Sequence, residues 1–381
     1  MAQFRSELIR IIRRYRLDFR ANEWRGHLLM AEQDLLSENT CKMLLPRARA
    51  KADEIEDEGN FLWRPPDEDE LCTEGRPDIE LGSLVEGDQQ RFGIRFKDRP
   101  RNLLVLGGSG GGKSVLCRGI CVKADVLNQH CPDRMTLLII IDPKPDYLDM
   151  KDKLKGKVKI FSWEENLRLG LNGPADVPPA VWIGLLTMSL AARLGLIVSR
   201  TYLAVIIARL LVALNTGLNN KDLEDASVAK DLIWPPLKMV LEVARKKDIL
   251  KIFASKADYG KTLIQMLEGL IYDSGSLFDC CNGFDLNTII QEKCHSVFNV
   301  SNAQPYVTHL ITDLLINQVM VRKLYLNYKC DHTDEIFLLD ESDFLIDSDV
   351  TNFSGLSPLD KLHRLGRELG LMSIVSISGI K

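Results

Sequence analysis

The chain has 381 residues, of which 45% are hydrophobic and 27% charged, and a formal net charge of −4. Such a composition suits a globular protein able to bury a sizeable core, as one large domain with appendages or as two domains. The net charge excludes a globally basic nucleic-acid coat, while leaving room for a local basic surface.

The first predicted element is a helix over residues 4–20, "FRSELIRIIRRYRLDFR". Helical spacing puts Phe4, Leu8, Ile11, Ile12, Tyr15 and Phe19 on one face, with arginines opposite. Such a helix docks on its own domain or on a neighbouring subunit; the alternative is that its basic face meets an anionic partner. Residues 1–52 are expected to form a small helical N-terminal region, open to a further protein partner. Residues 53–78, with "DEIEDEG" and "RPPDEDE", are expected to be an acidic linker. Arginines run through the first apolar stretch, so no signal peptide is predicted and a cytoplasmic location is expected. The nine cysteines include no CxxC pairs of zinc spacing, and are expected to be reduced and structural.

From residue 79 to 381 the pattern changes. Short β-type runs occur at "FGIRF", "NLLVL", "TLLIIID", "KVKIF", "HSVFNV", "EIFLLDE" and "LMSIVSI". Most are near-continuous apolar runs, which suit strands buried on both faces of a mainly parallel sheet. Helical segments lie between them, so the predicted class is α/β. Residues 176–290 are predicted to be a largely helical insertion. Its apolar stretch at 181–214 is interrupted by Arg193, Arg200 and Arg209, and no uncharged run reaches the roughly 20 residues of a membrane span. A buried helical pair is expected there.

Two motifs carry the chemistry. "NLLVL", "GGSGGGKS" and "VLCRGICVKADVL" read as strand, glycine loop and helix, the context of a phosphate site. Gly107 and Gly112 fill the pattern's glycine positions, and Gly108, Ser109, Gly110, Gly111, Gly112, Lys113, Ser114 and Val115 are the candidate nucleotide contacts. Lys113 suits the β- and γ-phosphates of ATP and the Ser114 hydroxyl suits Mg²⁺. "EIFLLDESD" then places Asp340 and Glu341 at the tip of a buried strand. Asp340 is the second candidate for Mg²⁺, and Glu341 the candidate base for the attacking water, with Asp343 as its substitute.

At this point the residues resemble a family. "LLIIIDPKPDY" ends in Asp142, Pro143 and Lys144, followed by Asp146 and Tyr147, and is similar to a strand end of the HerA–FtsK superfamily of ring ATPases. "LHRLGRELGLMSIVSIS" resembles that superfamily's arginine-bearing helix and the strand leading to a polar sensor. The resemblance implies a RecA-like P-loop NTPase core that hydrolyses ATP with Mg²⁺ as a hexameric ring. It implies Arg367 as a finger reaching the neighbour's γ-phosphate, with Arg364 as the other candidate. It puts Ser378 where the family carries a glutamine sensor. The expected activity is translocation of double-stranded DNA without strong sequence specificity. A polypeptide-handling secretion ATPase and a nucleotide-gated scaffold are the alternatives. The basic stretch Val243–Lys261 either lines a ring channel or forms a solvated face.

Overall fold

A computed structural model describes residues 3–15, 17, 22–57, 79–83, 91–94, 102–130, 132, 135–195, 199–246, 257–330, 332–342 and 358–378. The chain forms two compact units, Met1–Gly93 and Ile94–Lys381.

In the first unit, α1 (Gln3–Arg14), α2 (Asn22–Glu32) and α3 (Glu38–Asp57) are followed by strands β1 (Ile79–Ser83) and β2 (Arg91–Ile94), which pair with each other. Leu8, Ile11, Ile12 and Tyr15 share a core with Trp24 of α2 and Cys41, Leu44, Leu45 and Ala48 of α3. The amphipathic face expected of α1 is therefore internal to this unit. Phe4 departs from it, being exposed, and Phe19 lies outside the described residues. Several arginines are taken up by neighbouring acids: Arg5 pairs with Asp34, Arg13 with Glu32 and Arg49 with Glu7. These pairs favour the docked reading of α1 over an anion-binding one. The helix α3 continues to Asp57, so the first residues of the expected linker are helical; 58–78 lie outside the described residues. The units divide after Gly93, later than the change of pattern at residue 79.

The second unit is built on β3 (Leu103–Leu106), β4 (Leu137–Asp142), β5 (Val158–Ser162), β6 (His295–Asn299), β7 (Glu335–Leu339) and β8 (Leu371–Ile377). They form a six-stranded sheet in the order β3-β8-β7-β4-β6-β5, parallel at every pairing. The central β4 and β7 are buried along their whole length, as uninterrupted Leu/Ile/Phe runs require. The edge strand β3 differs, because Leu104 and Leu106 are 55% and 49% exposed and only one of its faces is covered.

Two helical layers flank the strands. Helix α4 (Lys113–His130) follows the glycine loop, packs against β8 and buries Cys117, Ile120, Cys121 and Ala124. It is anchored by Asp125, which accepts from Lys155 N, Gly156 N and the His295 ring. Because Leu138 N donates to His295 Nδ1, Nε2 carries the proton given to Asp125. The connection from β5 to β6 holds α6 (Pro179–Leu194), α7 (Arg200–Leu214), α8 (Leu237–Ala244), α9 (Ala257–Ser274) and α10 (Leu286–Gln291), following the single turn α5 (Met150–Lys153) before β5. It contains no strand among the described residues. Helix α11 (Pro305–Tyr325) is buried almost all round, polar residues such as His309 and Asp313 included, and packs on α6, α9 and α10. The short α12 (Pro358–Leu365) and a 3₁₀ turn (Gly366–Leu369) lead into β8. Ile139, Ile141, Phe298, Phe337 and Val375, from four strands, share one core with these helices. No helix of the described residues is long and apolar enough to cross a membrane.

Candidate functional site

In a parallel sheet all strands end at one edge, and ligands of open α/β sheets bind there. Three of these strand ends converge. After β3 the loop turns sharply: Gly111 N donates to Gly108 O at 3.0 Å, and Gly110 and Gly112 take φ of 75° and 82°. Only glycine adopts that left-handed region without strain, which answers for the density of glycines here. The helix α4 then begins at Lys113, and the N–H groups of its first turn have no partners within the helix. An anion placed against the loop meets those groups and the positive end of the helix dipole. Lys113 is buried, and its Nζ donates to Gly107 O at 2.8 Å and Gly108 O at 3.0 Å. The ammonium is thus folded over the loop it would serve. Gly108, Ser109, Gly110, Gly111 and Val115 are exposed.

After β7, Asp340 meets the loop. Ser114 Oγ donates to Asp340 Oδ2 at 3.0 Å, and Tyr147 OH donates to the same oxygen at 2.9 Å. The other oxygen, Oδ1, accepts from Glu341 N at 2.9 Å. Glu341 itself sits at φ 47°, a left-handed conformation uncommon for a side chain of its kind. That turn directs its carboxylate to Lys144, with which it forms an ion pair. The hydrogen bond from Lys144 to Glu341 raises the lysine pKa above its ordinary value.

The third strand end, after β4, supplies Asp142, Lys144 and Tyr147. Asp142 is buried, and desolvation pushes its carboxyl up to about 7, against the pull of hydrogen bonds from Tyr147 N and Asp146 N. Tyr147 is fully buried, with Arg118 lying over its ring at 5.4 Å. Burial also pushes the Cys117 thiol beneath it up to about 12, with the Asp340 charge adding to the shift.

The structure therefore brings together Lys113, Ser114, Asp340 and Glu341, as the motifs require. Sequence reasoning did not find that Tyr147 bonds Asp340 or that Lys144 holds Glu341. Both residues stand in "DPKPDY", so the signal was present, but their partners lie almost 200 positions away in sequence. Ser378 follows Ile377, which pairs with Leu106 immediately before the glycine loop, so the sensor position shares this edge. Arg364 and Arg367 are exposed and precede β8, at the opposite edge of the sheet. Seven residues of strand, about 23 Å, intervene. Asp343 and residues 247–256 of the basic stretch lie outside the described residues. Of that stretch, Arg245 pairs with Glu268.

Comparison with known proteins bears on this arrangement. Residues 79–232 match the family model described as the central domain of helicase HerA. The fold is similar to that of VirB4 of Thermoanaerobacter pseudethanolicus, with a TM-score of 0.53 and 17% identity over 81% of this chain and 78% of that one. It is also similar to the plasmid coupling protein TrwB solved with a non-hydrolysable ATP analogue, with a TM-score of 0.52 and 14% identity over 81% and 68%. A bacterial conjugative coupling protein form of TrwB solved with sulphate gives 0.50 and 13% over 81% and 69%. No curated protein matches the sequence significantly. The chain thus has the fold of these proteins, and the segment that matches the HerA family model contains the glycine loop and the β4 strand end.

Proposed function

We propose that the chain is an ATP-hydrolysing ring motor that moves double-stranded DNA without strong sequence specificity. One observation carries the ATPase part: Ser114 of the glycine loop and Asp340 of the distant β7 end meet at 3.0 Å, flanked in the chain by Lys113 and Glu341. A hydroxyl and a carboxylate side by side are the hard oxygen donors that Mg²⁺ takes alongside substrate phosphates. Bound there with ATP, the ion would neutralise charge developing on the β- and γ-phosphates. The ATP analogue bound by TrwB belongs to the same nucleotide class.

In this reading Lys113 leaves the loop carbonyls for the phosphate oxygens. Tyr147 and the Glu341 backbone N–H keep the Asp340 carboxylate turned toward Ser114. Glu341 accepts the proton of the attacking water as general base. Lys144 fixes where that carboxylate points until the γ-phosphate is seated, and remains protonated while paired. Arg367 cannot reach the phosphate loop of its own chain from the opposite edge. Its exposure supports a role across a ring seam, with Arg364 as the substitute. The first unit is a candidate for docking a further protein partner, and a cytoplasmic location belongs to the same proposal.

The motor reading draws on the match to a HerA helicase domain and on the coupling-protein neighbours. It is tested by ATP hydrolysis of the purified full chain with and without double-stranded DNA over a range of salt. Stimulation by DNA that falls steeply with salt supports it. Stimulation by an unfolded polypeptide alone selects a secretion-type ATPase, and tight ATP binding without turnover selects a scaffold.

A further inference from the structure

The sheet edge opposite the phosphate loop gathers three unlike donors. Cys330, His332 and Asp334 lie on the segment between α11 and β7, half-buried, with ligand atoms all within 4.8 Å of one another. Cys330 Sγ is 3.7 Å from His332 Nε2 and 3.5 Å from Asp334 Oδ1. His332 Nε2 is 3.0 Å from the same Oδ1. Donors held at roughly 2.0–2.3 Å from a single tetrahedral ion stand about 3.3–3.7 Å apart. Two edges of the triangle, 3.5 and 3.7 Å, fit one face of a coordination tetrahedron, and the third, 3.0 Å, is slightly shorter.

The surroundings aim the carboxylate. Asp334 Oδ2 accepts from Tyr328 OH at 2.6 Å and from Lys323 Nζ at 2.9 Å, which turns Oδ1 toward the cysteine and histidine. Outer hydrogen bonds of this kind orient metal ligands and tune them. The Lys323 charge is shared with Glu335, whose Oε2 lies 2.6 Å away, so it does not stand alone against a cation. The backbone is preset as well: Cys330 N donates to Glu368 O at 3.1 Å and Asp334 N to Gly370 O at 2.8 Å. Gly370 has φ 70°, and a Cβ there would lie 2.8 Å from Asp334 Oδ2 and 3.0 Å from Cys330 Cβ. Only glycine lets the chain come this close.

We propose that Cys330, His332 and Asp334 form a divalent metal site for an ion of the zinc class. Mixed S, N and O donors suit this borderline ion, and three protein ligands leave a fourth position for water or an exogenous donor. On binding, the Cys330 thiol becomes a thiolate ligand and its proton passes to solvent. The ion would cross-link Cys330, His332 and Asp334 within the segment that leads into β7, a segment that Cys330 N already ties to the 3₁₀ turn Gly366–Leu369 through Glu368 O. The alternating C-x-H-x-D pattern escapes a search for zinc-spaced CxxC pairs, because its three donor residues stand at every second position of one short segment. The site stands independently of the ATPase reading.

The test uses the full chain, stripped with a chelator and titrated with Zn²⁺ alone against a chromophoric competitor, then with Co²⁺ as a spectroscopic stand-in. We expect one tight site per chain and a sulfur-to-cobalt charge-transfer band. C330S should remove the band and weaken Zn²⁺ binding at least about 100-fold, and Y328F should weaken it about 10-fold through the lost orienting bond. The C280S/C281S double variant should leave both readouts unchanged. Absence of a stoichiometric site, a cobalt spectrum without thiolate absorption, or C330S binding like the wild type overturns the proposal. Should C330S fail to fold, the cobalt spectrum of the wild type decides alone.

Discussion

Under the proposed ATPase reading, nucleotide binding turns on Lys113. Its Nζ is held by two loop carbonyls beside the anion site, so removing it deletes the nearest positive charge without disturbing a core. Lys113→Ala is expected to lose most of its ATP affinity, measured by equilibrium titration with a fluorescent nucleotide; unchanged affinity would remove the phosphate-loop assignment. Glu341→Gln is expected to bind ATP and Mg²⁺ but to stall before hydrolysis, because the amide cannot take the water's proton. Wild-type turnover in that variant would point to another carboxylate as the base. A separate residue sets acid stability. Burial first, and then the Arg193 charge, lower the His309 imidazole to about 4. The unfolded chain takes up that proton nearer pH 6.5, so the stability contribution is complete above about 6.5 and is lost as pH falls toward about 4, by roughly 3 kcal/mol in all. His309→Gln should lose less stability than the wild type between pH 7.5 and 4.5 in urea denaturation. Equal losses would mean that His309 is not the group responsible.

At the scale of elements, the strands were legible because their apolar runs need no partner to be recognised. Six of the seven runs quoted from the sequence are strands of the parallel sheet, whose order follows from helices lying between them. The seventh, "FGIRF", overlaps β2, which pairs with β1 in a separate two-stranded sheet. The open face of β3 was not legible, since "LLVL" reads the same at an edge as in the centre and only the sheet order distinguishes them. Nor was the meaning of Arg193 beyond its interruption of an apolar stretch. It lies in α6 and bonds Asp313 of α11 through both Nε and Nη2, with side chains 9% and 4% exposed. Its partner lies 120 residues away, and periodicity within one helix cannot name it. A buried pair of this kind is costly to break singly. Asp313→Leu should destabilise the chain by about 3–5 kcal/mol, because it strands a buried guanidinium. The double variant Arg193→Met with Asp313→Leu should recover most of that loss. A single variant within about 1 kcal/mol of wild type in denaturant melts would show that the helices are not joined through this pair.

At the scale of the whole molecule, the question is whether one chain is a complete enzyme. The phosphate loop, Asp340 and Glu341 share one edge of the sheet, and no arginine of the α12–3₁₀ segment can reach that edge in the same chain. Arg367 is exposed on the far side, where a neighbouring copy in a closed ring could bring it against another copy's γ-phosphate. An arginine supplied in this way is worth about 10³–10⁵ in rate where it operates. Arg367→Ala is therefore expected to bind ATP nearly as the wild type does and to hydrolyse it poorly. Mixing settles the geometry. In a ring assembled from equal parts of Arg367→Ala and Glu341→Gln chains, a seam works when an intact Glu341 faces a neighbour's intact Arg367, which holds for about a quarter of seams under random assembly. Partial activity should return on mixing, in proportion to those seams, above the low rate of either variant alone. If mixing never restores activity, or if a strictly monomeric chain hydrolyses ATP at the full rate, Arg367 does not act across a seam.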